Sequence, residues 1–133
     1  MNCWVRSQID YGISFPVQIA AAAALNGPQD VLRRNVEEYE RRRDALCGGL
    51  RSIGWDVRNS PATMFVWTKI PAGFSSSMEF VLALLDQTGV VCVPGSSFGK
   101  AGEGYVRLAL VRPVEVLEEA VQRIAASGIL DPA

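Results

Sequence analysis

The spacing of hydrophobic and polar residues predicts two helices in the first part of the chain. Phe15 to Leu25 contains a run of strong helix formers, five of them alanine, that Asn26-Gly27 ends. From Asp30 to Ile53, hydrophobic residues recur in steps of three and four, which predicts a long amphipathic helix that continues through Arg43. The hydrophobic stripe of this second helix consists of Leu32, Val36, Tyr39, Leu46, Leu50 and Ile53.

The second part of the chain alternates β-forming runs with two further helices. A capping-box pattern opens one helix at Ser76 to Glu79, and Pro113 opens the last helix, which Gly128 ends. The predicted strands are Trp55 to Arg58, Met64 to Lys69, Val90 to Val93 and Tyr105 to Val111. The order α-α-β-β-α-β-β-α predicts an α/β fold. Its small sheet, built from the runs at Asp56, Phe65, Val91 and Arg107, should be covered by the long helix and the last two helices.

Composition and charge favour one domain and argue against two classes of partner. The chain has 133 residues, of which 49% are hydrophobic and 20% are charged, as in ordinary globular proteins. Its 13 basic and 14 acidic residues leave a net charge of -1, so no positive excess is available to bind nucleic acid. The longest apolar stretch, Ile19 to Leu25, is far shorter than the ~20 residues of a membrane span. We therefore expect a cytoplasmic protein with neither a nucleic-acid nor a membrane partner.

Cysteine spacing and the lack of histidine remove further kinds of chemistry. Cys3, Cys47 and Cys92 are odd in number and far apart, which suits neither a disulfide framework nor a structural zinc site. Because the sequence contains no histidine, it cannot assemble a Ser-His-Asp or a Cys-His site. We therefore predict no metal site, and any catalysis has to use other groups.

Two further motifs are set aside on their chemistry. Gly95 to Ala101 resembles a phosphate-binding loop, but it is one residue short and a predicted strand, not a helix, follows it. Lys69 and Lys100 are the two lysines, and a Schiff-base lysine must be desolvated to act as a nucleophile. Both lie next to loops that contain glycine, so we expect each ammonium group to be solvated.

Several segments taken together resemble a known family. They are Phe15 to Ala21, Ala24 to Pro28, Tyr39 to Asp44 with Leu50, Ala62 to Trp67, Gly89 to Gly99, and Gly102 to Leu110. In this order and spacing they are similar to the small domain of class I/II aminotransferases, and the match runs from Ser7 to Ile124. Asp10-Tyr11-Gly12 and Met64 to Trp67 are most similar to the alanine-forming, glutamate–pyruvate subgroup.

The resemblance implies a fold, a cofactor and partners. It implies an α/β sandwich with a mixed, mainly antiparallel sheet covered by helices, in which residues 15–133 form the small domain and residues 1–14 lead in from a large domain. Family members are about three times as long, and their large domain carries the lysine that binds pyridoxal 5′-phosphate (PLP). The chain is therefore expected to be a C-terminal fragment that is inactive and binds no PLP alone. The intact enzyme is expected to be a homodimer that acts on an amino acid and a 2-oxo acid.

One arginine is the main candidate for a site residue. Alternation along the strand puts Val106 and Leu108 on one face and Arg107 on the other, where an arginine is costly unless it meets an anion. The resemblance places the arginine that binds the substrate α-carboxylate at Arg107, and the alternative is a structural ion pair with Glu103. It also places Tyr11, Gly12 and Phe98 near the active site.

The resemblance has a structural consequence for the start of the chain and leaves other functions open. In the family, Asp10 to Gln18 joins the two domains and approaches the partner subunit, so this stretch is expected to be poorly ordered or displaced here. The alternative is a loop that merely leads into a helix. The same fold also occurs in regulatory modules fused to DNA-binding domains and in carbon–sulfur lyases, and the sequence separates the lyases from aminotransferases only weakly.

Overall fold

The computed structural model of the chain describes residues 13–130. The chain divides into two compact units, Met1–Val36 and Glu37–Ala133. Every buried hydrophobic residue in the described range belongs to the second unit. The domain boundary expected between residues 14 and 15 stays a prediction. No helix within residues 13–130 is both long enough and apolar enough to cross a membrane.

The helices begin and end close to the predicted residues. They are α1 (Phe15–Asn26), α2 (Asp30–Ser52), α3 (Ser77–Thr88) and α4 (Val114–Ser127). Ser76 caps α3, because its hydroxyl accepts a hydrogen bond from the backbone N–H of Glu79 at 3.1 Å. Gly89 and Gly128 end α3 and α4 in the left-handed conformation, with φ of 69° and 68°. Helix α2 is unbroken at Arg43, as predicted.

The predicted stripe of α2 is buried only toward its C-terminal end. Leu46 and Leu50 lie in the core, and Cys47, which the predicted stripe did not include, is buried with them. Leu32 and Val36 are 58% and 56% exposed. The periodicity therefore predicted the helix correctly, but it did not show which turns of the helix are buried.

The sheet has three strands, β1 (Phe65–Lys69), β2 (Val93–Pro94) and β3 (Tyr105–Ala109), in the order β1-β3-β2. Both pairings are antiparallel. The prediction of a fourth strand at Trp55 to Arg58 is wrong. This segment is joined to β1 through side chains, since the Trp55 indole donates to the Lys69 carbonyl at 2.8 Å and the Thr68 hydroxyl donates to the Asp56 carbonyl at 3.4 Å.

The strand predicted at Val90 to Val93 is also shorter and lies later in the chain. Val91 is 74% exposed and outside the sheet, and pairing begins only at Val93. Pro94 has no N–H to donate, and a 3-10 turn starts directly after it at Gly95, so the ladder stops after two residues. The α/β fold class is nevertheless confirmed.

One hydrophobic core lies between the sheet and helices α2, α3 and α4. Val66, Val106 and Leu108 point into it from the sheet, and Phe80 contacts Trp55 edge to face at its centre. The alternate residues of β1 and β3 are half-buried or exposed. This second face of the sheet carries Phe65, Trp67, Lys69, Tyr105, Arg107 and Ala109, and it is where the candidate site lies.

Candidate functional site

Arg107 lies in the middle of the central strand, on the more open face of the sheet. It is paired in register with Trp67 of β1 and with Val93 of β2. Its neighbours Val106 and Leu108 are buried on the opposite face, as the alternation predicted. Because both sides of β3 are paired, the backbone that carries Arg107 is held by its two neighbouring strands.

Among residues 13–130, the Arg107 side chain lies against two aromatic rings and forms no ion pair with an acid. Its guanidinium carbon lies 4.1 Å from the ring centroid of Phe65 and 4.8 Å from that of Phe98. Its Nε is buried and has no hydrogen-bond partner among residues 13–130. An unpaired buried donor costs about 1–3 kcal/mol, and more in a charged group. The arginine is thus ready to donate to an anion that this part of the protein does not supply.

Glu103, the alternative partner considered for Arg107, is engaged elsewhere. Its Oε1 accepts hydrogen bonds from the backbone N–H of Ser77 at 2.6 Å and from that of Gly104 at 2.9 Å. None of the ion pairs of the described residues includes Arg107. The structure therefore does not support the structural ion pair.

Phe98 is held beside Arg107 by two 3-10 turns, Gly95–Phe98 and Lys100–Gly102. The turns approach so closely that a Cβ atom on Gly95 would lie 2.0 Å from the Gly102 carbonyl oxygen. Trp67 contacts the Phe98 ring edge to face at 5.5 Å between centroids. The same indole stacks on the Tyr105 ring at 5.7 Å. The turn and the strands together hold an aromatic surface next to the arginine.

Comparison with known proteins shows the family of this chain. The family model "Aminotransferase class I and II" matches residues 2–124. The chain belongs to this family. It is 45% identical over 120 residues to the LL-diaminopimelate aminotransferase of Dehalococcoides mccartyi, a match that covers 90% of this chain and 31% of that protein. The chain thus spans about a third of the length of the curated relatives that it matches.

Solved aminotransferase structures have the same fold. The alanine aminotransferase from Pyrococcus furiosus superposes with a TM-score of 0.81 at 34% identity, over 90% of this chain and 31% of that one. A probable N-succinyldiaminopimelate aminotransferase from Thermus thermophilus gives a TM-score of 0.80 at 35% identity, over 93% of this chain and 33% of that one. The α/β fold expected from the resemblance is therefore confirmed, and it matches about a third of each of these aminotransferase structures.

The sequence pointed to Arg107 and Phe98, but it missed Phe65. The sequence pattern assigned Phe65 only to a strand. Phe65 lies two residues before Trp67, so its side chain is on the same face of β1, and Trp67 pairs with Arg107. Once the register is known, the alternation of side chains places Phe65 on the arginine's face of this aminotransferase sheet. That register was the missing signal, and it is not readable from either strand alone.

Neither lysine of the described residues lies in a buried pocket. Lys69 and Lys100 are both exposed, whereas a Schiff-base lysine needs a desolvated setting. Lys69 borders an open groove of about 690 Å³ that is also lined by Trp67 and Tyr105 but does not include Arg107. Within residues 13–130, no cluster of three His, Cys, Asp or Glu side chains could hold a metal ion.

Two of the predicted site residues, Tyr11 and Gly12, lie outside the described residues, so their place near the active site stays a prediction. The stretch from Asp10 to Gln18 is described only from residue 13 onward. Phe15 to Gln18 form the first turn of α1, and Phe15 is 71% exposed. The predicted disorder or displacement of this stretch in solution stays a prediction.

The two hydrogen bonds to Glu103 predict a stability that depends on pH. They lower the pKa of the Glu103 carboxyl below its ordinary value, with the Ser77 N–H as the main cause. A carboxyl with a lower pKa in the folded state stabilises the fold above its unfolded pKa, and this stabilisation is lost as the pH falls through the folded pKa. We expect Glu103→Gln to lower the melting temperature at neutral pH and to flatten its decline in acid.

Melting temperatures measured from neutral to acidic pH would check this expectation. Glu118→Gln is the matched control, because Glu118 is exposed and makes no ion pair in the described part of the chain. The same acid decline in Glu103→Gln and in the unsubstituted chain would contradict the role of Glu103.

Proposed function

We propose that this chain contributes to an enzyme that moves an amino group from an amino acid to a 2-oxo acid, with Arg107 binding the α-carboxylate. The observation that carries the proposal is the buried Nε of Arg107, which lies beside two aromatic rings and has no hydrogen-bond partner among residues 13–130. A carboxylate can accept two parallel hydrogen bonds from one guanidinium, which fixes its orientation as well as its position. Amino acids and 2-oxo acids share this group, so one arginine can serve both halves of the transfer.

The cofactor and partner residues are proposed to lie in the larger part of the enzyme. PLP, when bound, supplies an electron sink for chemistry at the α-carbon. The relatives are about three times as long as the match, which leaves room for the lysine and the phosphate-binding groups. Helix α1 has no buried residue, and Phe15 and Leu25 are 71% and 79% exposed. We propose that the large domain or the second subunit of a homodimer covers this apolar surface.

The substrate class is proposed from the relatives. The identity to LL-diaminopimelate aminotransferases favours an amino acid with more than one charged group, whereas the sequence pattern favours the alanine-forming subgroup. The test uses a full-length enzyme made by joining this chain to the remaining residues of the Dehalococcoides mccartyi relative. Amino transfer from LL-diaminopimelate, L-alanine and L-glutamate to 2-oxo acids is measured together with ammonia release. Transfer without ammonia release supports the proposal, and ammonia release without transfer would indicate a lyase.

The 133-residue chain by itself is predicted not to bind PLP. Its two lysines are exposed, so we expect only weak adducts that dialysis removes. The measurement is the absorption spectrum after PLP is added and dialysed away. A stable absorption band that survives dialysis in the unsubstituted chain, and is lost when Lys69 and Lys100 are both replaced, would contradict this prediction.

A further inference from the structure

We propose that Phe65 and Phe98 are positioning residues that hold the Arg107 guanidinium in its binding orientation, which deepens the proposed carboxylate role and rests on it. In many proteins a carboxylate side chain orients a functional arginine. Here no described acid forms an ion pair with Arg107, and its guanidinium lies close to two aromatic rings. These two rings form the aromatic support of Arg107.

The aromatic support attracts the cation without using its hydrogen-bond donors. Distances of 4.1 Å and 4.8 Å to the two ring centroids are well within the ~6 Å over which such attraction acts. A ring binds the face of the planar guanidinium, whereas a carboxylate binds the N–H groups at its edge. The support can therefore orient Arg107 and leave the N–H edge free for a substrate carboxylate.

The two rings are themselves held by different parts of the fold. Phe65 is the first residue of β1 and is paired in register with Ala109. Phe98 ends a 3-10 turn and is 52% exposed, and its ring makes an edge-to-face contact with Trp67 at 5.5 Å between centroids. Because Phe98 is half-exposed, its loss removes little from the core, so its effect on Arg107 can be measured in a folded protein.

The experiment uses the 133-residue chain with its arginines labelled with ¹⁵N at Nε. The Arg107 Nε–Hε signal is assigned by its loss in Arg107→Lys. Its chemical shift and its heteronuclear NOE are then compared in the unsubstituted chain, Phe98→Leu, Phe65→Leu and Phe98→Tyr. Phe15→Leu is the matched control, since it makes the same change at an exposed phenylalanine of the other unit.

We expect Phe98→Leu and Phe65→Leu each to remove part of the ring-current shift of the Arg107 signal and to lower its NOE. Phe98→Tyr should restore both, and Phe15→Leu should change neither. The dissociation constant for acetate, from titration of the same signal, should rise about two- to fivefold in the leucine variants. An Arg107 NOE that is unchanged in both leucine variants would overturn the proposal. So would loss of the fold in Phe98→Leu, because Phe98 would then support the turn rather than the arginine.

The two proposals can fail separately. If the leucine variants loosen Arg107 but acetate does not shift its signal in the unsubstituted chain, the aromatic support stands and the carboxylate role is contradicted. If acetate binds equally well to all variants and the Arg107 NOE is constant, the carboxylate role stands and the aromatic support is contradicted.

Discussion

Replacing Arg107 with leucine is expected to lower kcat/KM for amino acids by at least about 30-fold in the full-length enzyme that contains this chain. The loss follows from the geometry of the site, because Arg107 is the only described cation that lies over the Phe65 and Phe98 rings. Removing one partner of a desolvated charge pair costs about 2–5 kcal/mol. The absorption spectrum of bound PLP should be retained, since Arg107 is proposed to touch the substrate and not the cofactor.

Two control variants separate charge, shape and folding in this experiment. Arg107→Lys keeps the charge but loses the planar fork, so we expect a kcat/KM well below that of the unsubstituted enzyme. Arg112→Leu makes the same change at an exposed arginine just after β3, and it should leave kcat/KM nearly unchanged. Near-normal kinetics in Arg107→Leu would remove Arg107 from the substrate site.

Replacing Gly95 with alanine is expected to lower the free energy of unfolding of the chain by about 3 kcal/mol or more. A Cβ atom there would lie 2.0 Å from the Gly102 carbonyl oxygen and 2.6 Å from the Tyr105 carbonyl oxygen. Both obstacles are backbone atoms, which cannot turn aside as a flexible side chain can. Relief therefore requires the two 3-10 turns to separate, which would also move Phe98 away from Arg107.

Urea unfolding followed by tryptophan fluorescence measures this loss, and Gly48→Ala is the matched control. A Cβ on Gly48 meets nothing within 4 Å, and Gly48 lies inside α2. The same substitution should there stabilise the chain by about 0.5–1 kcal/mol, because alanine favours the helix. Equal unfolding midpoints for Gly95→Ala and the unsubstituted chain would show that the turns can separate at little cost.

The sequence by itself determined the features that depend on neighbouring residues. The ends of α3 could be predicted because Ser76 and Glu79 are three positions apart and Gly89 follows, and a helix cap needs no distant partner. The face of Arg107 could be predicted because side chains alternate along any strand. The family could be recognised because several short segments occur in a fixed order, and the family match to residues 2–124 confirms it.

Only the tertiary structure decided which segments become partners. Trp55 to Arg58 has the composition of a strand, but it forms no backbone hydrogen-bond ladder with β1. Side-chain hydrogen bonds of Trp55 and Thr68 join the two segments instead. The neighbours of Arg107 come from β1 and from the turn at Phe98, and only the register of β1 with β3 brings Phe65 to it. Gly95 and Gly102 likewise meet only when their two turns pack. Contacts between residues that are distant in sequence depend on how the whole chain packs. The pattern of a single segment therefore does not show which distant residues it will contact.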